Sequence, residues 1–183
     1  MSIIHLNGKM KKMKIGIDIS QIVYQGTGVA NYTKNLVESL LKTDKKNDYV
    51  FFFASLRKKP PKLANIRAFK IPPTLLEFLW NKLHVFPIEW FIGDVDVFLS
   101  SDWTQPPTLR AKKVTTVHDL SPWTHPQTMH PKIVAVHKRR MKWVKKECDA
   151  IICDSQATKR DVIKILEIPE KKLKVIYPGG INE

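Results

Sequence analysis

Two cysteines in 183 residues are too few for a disulfide framework. Cys148 and Cys153 also match no metal-binding spacing, which predicts a reducing, intracellular setting. No apolar run approaches the roughly 18 residues of a membrane span. The N-terminus lacks the apolar segment of a signal peptide. Together these absences predict a soluble, cytoplasmic domain. No internal repeat divides the chain. Acidic residues are also scarce, 17 Asp and Glu against 31 Lys and Arg, which leaves a net charge of +14.

What is present is a globular composition, with 43% hydrophobic and 9% aromatic residues, enough for one domain with a real core. The positive balance favours polyanions: nucleic acid, an anionic membrane face or phosphorylated substrates. The alternative is a solvated surface tuned for solubility. For nucleic acid the charge stands alone, because there is no RNP-type strand pattern, helix-turn-helix signal or zinc ligand set. Nucleic acid is therefore disfavoured.

Residues 1–13 read as a loose basic leader, with Lys9, Lys11, Lys12 and a second possible start at Met13. From Lys14 onward, apolar strand-like runs alternate with helical patterns. Strands are expected at 14–20, 49–55, 66–72, 94–101, 112–119, 149–155 and 172–178. Helices are expected at 29–42, 131–147 and 156–166. In the first helix, Val29, Tyr32, Leu36 and Leu40 fall at helical spacing, with Val37 and Leu41 beside them. This alternation predicts an α/β fold, a single Rossmann-like domain over 14–183 with a mostly parallel sheet and helices on both faces.

In such sheets ligands bind beyond the carboxyl ends of the strands, so the loops there carry the candidates. "QGTGVANY" places Gly26 and Gly28 before a helix N-terminus, where backbone N–H groups favour an anion. A tight turn explains the same glycines. The dinucleotide fingerprint G-x-G-x-x-G fails at Asn31, and no acidic residue closes the second strand, so an NAD enzyme is disfavoured. "VTTVHDLSPW" ends a buried strand in His118 and Asp119; the imidazole is either structural or functional, and Asp119 either orients it or caps the turn. Asp154 and Ser155 precede a helix and read as N-caps. Pro178-Gly179-Gly180 reads as a hinge or exit turn.

The helix at 131–147 is basic and amphipathic. Ile133, Val134, His137, Met141, Val144 and Cys148 form one arc. Lys132, Lys138, Arg139, Lys142, Lys145 and Lys146 form the other, with Trp143 at its margin. Lys138, Arg139, Lys142, Lys145, Lys146 and Trp143 are therefore the candidate contacts for an anionic membrane or phosphates. A surface helix that solvates its lysines is the other reading. The segment Thr74–Phe91 is apolar all round and serves either as core at the sheet edge or as a greasy surface for a lipid-linked acceptor or a bilayer.

The order of "IGIDIS…GTGVANYTKNLVESLL", "WNKLHVFPIEWFIGDVDVFLSS", "TTVHDLSPWTHP", "CDAIICDSQATKRDVIK" and "KLKVIYPGGIN" resembles the N-terminal domain of family 4 retaining glycosyltransferases of the GT-B fold, from Lys14 to Asn182. The resemblance implies one acceptor-side half of a GT-B fold ending at the interdomain hinge. It places Gly26, Thr27 and Gly28 beside the donor diphosphate, and His118 in the cleft against the transferred sugar. Asp119 and Ser155 are further cleft candidates. The implied substrates are a nucleotide-diphosphate sugar and an acceptor glycan or glycolipid, with no cofactor and no metal.

The sequence departs from the family pattern at Ala30, where a glycine is frequent, at Asn31, where an Arg is frequent, and at Gly179, where the closing motif has Asn. A C-terminal donor-binding domain, or a separate subunit supplying it, is the implied missing partner. The expectation is an isolated chain without turnover, located in the cytoplasm, either free or peripheral at the inner membrane face. A non-catalytic basic module docking on membrane or on a partner is the alternative.

Overall fold

The computed structural model describes residues 11–179. The first ten residues of the leader, and the Gly180 and Asn182 positions of the closing turn, lie outside the described residues. Seven strands form one parallel sheet in the order β3-β2-β1-β4-β5-β6-β7. They are β1 (Lys14–Asp18), β2 (Asp48–Ala54), β3 (Ile66–Phe69), β4 (Val97–Ser100), β5 (Lys112–Val117), β6 (Ala150–Cys153) and β7 (Leu173–Val175). The order reverses direction between β1 and β4, the topological switch point beside which open α/β sheets bind ligands.

The long helices are α1 (Gly28–Thr43) and α5 (Pro131–Glu147), with α6 (Gln156–Leu166) behind β6. Between β3 and β4 lie two short helices, α2 (Pro73–Leu76) and α3 (Glu89–Ile92). The π-helical segment Glu77–Leu83 continues directly from α2. A one-turn helix, α4 (Ser121–Thr124), follows β5.

Strands buried on both faces read as continuous apolar runs, and β2 shows why. Phe51 and Phe53 pack with Ile17, Ile19 and Val37 on the α1 face. Phe52, between them, points the other way into Trp80, Ile88, Ile92 and Phe98. A third cluster lies under α5 and α6, built on Val117, Met141, Val144, Ile151, Cys153 and Val162. Gly16 in β1 is required by close packing, because a Cβ there would lie 2.7 Å from Ile92 Cδ1 and 2.9 Å from Phe98 Cδ2.

The segment Thr74–Phe91 divides rather than choosing one role. Leu76 and Trp80 are buried, while Leu75, Phe78, Leu83, Phe86 and Trp90 are exposed. Leu41, placed with the inner face of the first helix on periodicity, is also exposed.

Candidate functional site

His118 follows the last residue of β5, at the carboxyl edge of the sheet. β5 and β6 are parallel and in register at Val117 and Cys153. The residues just beyond that pair, His118 and Asp154, therefore stand side by side. His118 Nδ1 meets Asp154 Oδ2 at 2.5 Å. An ionised carboxylate only accepts, so Nδ1 donates, and in the neutral ring Nε2 presents its lone pair. The ring is also held edge-on by Tyr32 of α1, at 4.8 Å and 81°. Its backbone carbonyl accepts from the Thr158 hydroxyl at 3.0 Å. A side chain gripped this way loses little entropy when it meets a substrate.

Asp119 does not orient the imidazole. Its Oδ1 accepts from the Ser121 backbone N–H at 2.7 Å and caps the turn into α4. The orienting carboxylate is Asp154, which strand pairing brings in from 36 residues away. Ser155 is the N-cap of α6, with Oγ accepting from Thr158 N–H at 3.0 Å. Thr27 is the N-cap of α1, accepting from Ala30 N–H at 3.2 Å. Gly26 needs its glycine for a φ of +85°. At both Gly26 and Gly28 the space around a Cβ is empty to 4 Å.

The cleft beside His118 holds about 210 Å³ and also takes in Val29 of α1. Gly26 lines a different hollow, of about 450 Å³, together with Asn31, Lys34 and Lys62. The start of α1 thus separates two hollows, and only its first turn joins the His118 wall.

The opposite wall of that cleft comes from α5 and from the loop after β4. Arg140 is 2% exposed. Its guanidinium donates to the Thr115 hydroxyl, to Thr116 O at 3.2 Å and to Met141 Sδ at 3.5 Å. Among the described residues no carboxylate lies within ion-pair distance of it, and its Nε has no partner. His137 sits one turn before, edge-on to Trp103 at 5.8 Å. Burial, and then the Arg140 charge, pushes its pKa below the usual imidazole value. Asp102 faces the same cleft, with a buried Oδ1 that has no partner.

The β4 exit loop is pinned from behind by Asn81 of the π-helical segment. Its side chain donates to Trp103 O at 3.0 Å and accepts from Gln105 N–H at 2.9 Å. A single-turn π segment of this kind often accompanies functional sites.

The inner arc of α5 therefore differs from expectation. Val136, Arg140, Met141 and Val144 are buried, whereas Ile133, Val134 and His137 are half-buried. Two of the six candidate surface contacts are engaged with the fold. Arg139 Nε donates to Glu77 at 2.6 Å. Trp143 stacks on His84 at 3.6 Å and 6°, and donates to Asn81 O at 2.8 Å. The physical reason is that the π-helical segment packs along what looked like the solvent side of α5. Lys138, Lys142, Lys145 and Lys146 are exposed, and Lys145 reaches Glu167 at 3.2 Å.

Asp154 reads from the sequence as an N-cap, a role the structure gives to Ser155 instead; Asp102, Arg140 and Tyr32 carry no site reading from the sequence. For Arg140 a signal existed: it lies three residues after His137 and four before Val144, in phase with the apolar arc. Among the described residues no three His, Cys, Asp or Glu side chains cluster as metal ligands. No described helix is long and apolar enough to cross a membrane.

No curated protein matches the chain. The family model described as Glycosyltransferase Family 4 matches residues 26–179. That span takes in the turn before α1, His118, Asp154, the whole of α5 and six of the seven strands, β1 lying ahead of it. The chain belongs to glycosyltransferase family 4.

Proposed function

We propose that this chain is the acceptor-side half of a retaining hexosyltransferase. It moves a hexose from a nucleotide-diphosphate sugar to a polar or lipid-linked acceptor, without a metal. The observation that carries the reading is His118. Its Nδ1 is locked on Asp154 at the carboxyl edge of β5, and its ring lines a cleft at the switch-point side of the sheet. From that position Nε2 orients a sugar hydroxyl by hydrogen bonding rather than acting as a nucleophile. The Gly26–Gly28 turn, with its open backbone ahead of the positive end of α1, suits the donor diphosphate. In this reading the nucleotide end of the donor is held by a donor-binding domain or subunit, and these 183 residues by themselves transfer nothing.

Two measurements test this. The purified chain, free of contaminating enzymes, is incubated with a panel of nucleotide sugars; turnover would refute the half-site assignment. The chain joined to a family donor-binding domain is then assayed with and without EDTA. Transfer that is insensitive to chelation and lost in His118→Ala is the expected result.

A specific observation also supports docking on an anionic membrane. Phe78, Leu83, Phe86 and Trp90 are all exposed, and Lys82 lies over the Phe78 ring at 5.7 Å. Lys142 and Lys146 flank Trp143 at 5.9 Å and 5.1 Å. Apolar side chains beside lysines suit the headgroup boundary of an acidic bilayer. Flotation with phosphatidylserine vesicles is expected to carry the chain, and neutral vesicles are not. Binding unchanged by charge reversal at Lys138, Lys142 and Lys146 would rule docking out.

A further inference from the structure

Val29 and Tyr32 of α1 face His118. The opposite flank of the helix, with Ala30, Lys34 and Val37, lines a groove that sugar transfer does not use. Two consecutive crossovers lie on this face of the sheet. The first is α1, between β1 and β2; the second, residues 55–65 between β2 and β3, has no helix. Pro60 and Pro61 explain why, since neither can donate a backbone N–H and each holds the residue before it extended. Leu63 and Ile66 pack with Val37 and Leu40, so this strap crosses the α1 face. Parallel sheets are ordinarily covered by a helix at each crossover. Here a strap stiffened by two prolines stands where the second helix would pack, and the hollow of about 450 Å³ remains beside it.

The groove follows α1 as far as Glu38, a run of roughly 15 Å from the helix start at about 1.5 Å per residue. Ala30 and Val37 are buried and close its bottom, while half-buried Ile22, Pro61 and Leu63 offer accessible apolar surface. Lys34 stands on the helix bank and Lys62 on the strap bank, both exposed. Lys34 has only a loose pair with Glu38, at 3.9 Å between side chains 62% and 63% exposed, a geometry that contributes little. The strap and β3 continue the charge. Residues 49–76 contain Arg57, Lys58, Lys59, Lys62, Arg67 and Lys70 and no acidic residue. All six are exposed, and among the described residues none lies within ion-pair distance of a carboxylate.

An occupant that uses all of this is both apolar and anionic. A bilayer fits poorly, because the apolar surface forms the floor of a groove rather than protruding side chains. A nucleic acid or polyphosphate would meet the lysines and leave the floor unmatched, and no aromatic side chain lines the hollow for a base to stack on. An amphipathic protein segment satisfies both requirements, with its apolar side in the groove and its carboxylates toward the two banks.

We propose that the groove between α1 and the β2–β3 strap is a docking site for an acidic, amphipathic segment of a partner protein. Its apolar residues rest on Ile22, Pro61 and Leu63, and its carboxylates meet Lys34 and Lys62, with Arg57, Lys58 and Lys59 attracting it to the strap. The prolines keep the strap from collapsing into the groove, so the site is formed before the partner arrives. Nothing in this assignment depends on the glycosyltransferase reading.

The test titrates the chain with a Leu/Glu peptide of about 14 residues, long enough to form a helix on the groove, with leucines at helical spacing. Controls are the matching Leu/Lys peptide, polyglutamate and phosphatidylserine vesicles. The expected result is saturable, salt-sensitive binding of the Leu/Glu peptide, at least ~10-fold tighter than of either peptide control. Backbone amide shifts should fall on residues 25–38 and 57–63. The double variant Lys34→Glu and Lys62→Glu, at two exposed positions, should keep the melting temperature and weaken binding at least ~10-fold. Polyglutamate binding as tightly would reduce the site to charge alone. Leu/Lys binding as tightly would reduce it to apolar contact. Vesicle binding lost in the same variant would make the surface a lipid contact. Each of these, and equally shifts confined to Phe78–Trp90 or no binding at all, would overturn the proposal.

Discussion

His84 and His118 each pair with a carboxylate, at 2.9 Å and 2.5 Å, and each is mostly buried. They sit at opposite ends of β5. At the start of the strand, His84 Nε2 meets Glu147 and Nδ1 meets Trp80 O at 2.9 Å, so both ring nitrogens are occupied. Its face is covered by Trp143, and Glu147 is shared with Lys113. At the far end, His118 spends only Nδ1 on the protein and lines a cleft with the remainder of its ring. Similar pairs thus do different work. A closed set of bonds clamps the π-helical segment to α5, whereas a half-open set presents a nitrogen to whatever enters. The contrast is one of geometry: of the two His–carboxylate pairs, only that of His118 leaves a ring nitrogen over at the ligand-binding edge of the sheet.

The sharpest way to break this comparison is to truncate both rings. His118→Ala in the joined enzyme should lower transfer by the folded fraction at least ~100-fold, with a stability cost of about 1–2 kcal/mol because Asp154 Oδ2 loses its partner. His84→Ala should cost about 2–3 kcal/mol of stability, because it strips partners from buried acceptors, with transfer by the folded fraction intact. Urea melts alongside steady-state rates read both. Equal losses of activity in the two variants would erase the distinction.

Glu147 offers the next largest effect. Burial raises its pKa, but hydrogen bonds from Lys113 and His84 overcome this and hold it below the usual glutamate value. A lowered folded pKa means the bonds contribute fully above the unfolded value of about 4.3, and are lost as the pH falls through the folded one. Glu147→Gln should cost about 1–2 kcal/mol at neutral pH. It should also flatten the acid limb below pH ~4.3 in urea titrations.

His137 sharpens the comparison from the cleft side. Its folded pKa is depressed by burial and by Arg140. The unfolded chain therefore binds a proton more readily, and stability declines as pH falls below about 6.5. His137→Gln should remove that decline between pH 6.5 and the onset of carboxylate protonation. The smallest expected effect concerns the thiols. Burial pushes Cys148 up to about 12 and Cys153 up to about 11, and both are fully buried. Neither should react with a thiol reagent at pH 8 until the chain is unfolded.

Much of the fold is legible in the residues. All seven strands occur where the apolar runs predict them. Six are shortened, as with β5 stopping at Val117 and β7 at Val175, while β2 keeps seven residues and starts one position early. The three long helices begin and end close to expectation, and Thr27 and Ser155 are N-caps of the kind their side chains favour. The placement of His118 at a strand end was equally readable, because a buried β-rich run followed by a polar pair and Ser-Pro must turn there.

The π-helical segment was not readable, since Glu77–Leu83 carries no periodicity that separates it from an ordinary apolar helix. It was this segment that drew Arg139 and Trp143 away from solvent. Residue type also misled for Arg140, where a charge in phase with the apolar arc was not assigned to the interior.

The sequence by itself determined the α/β class, the order of elements and the strand end that carries His118. These follow from local period, turn chemistry and capping, all of which act within a few residues. Only the tertiary structure decided His118's partner. Adjacent Asp119 was the obvious candidate, but it turns back to cap Ser121. Asp154 arrives because parallel pairing of Val117 with Cys153 lays two strand ends side by side. Register is a property of the sheet, set by packing on both faces, and no local pattern in either strand records which neighbour it will meet.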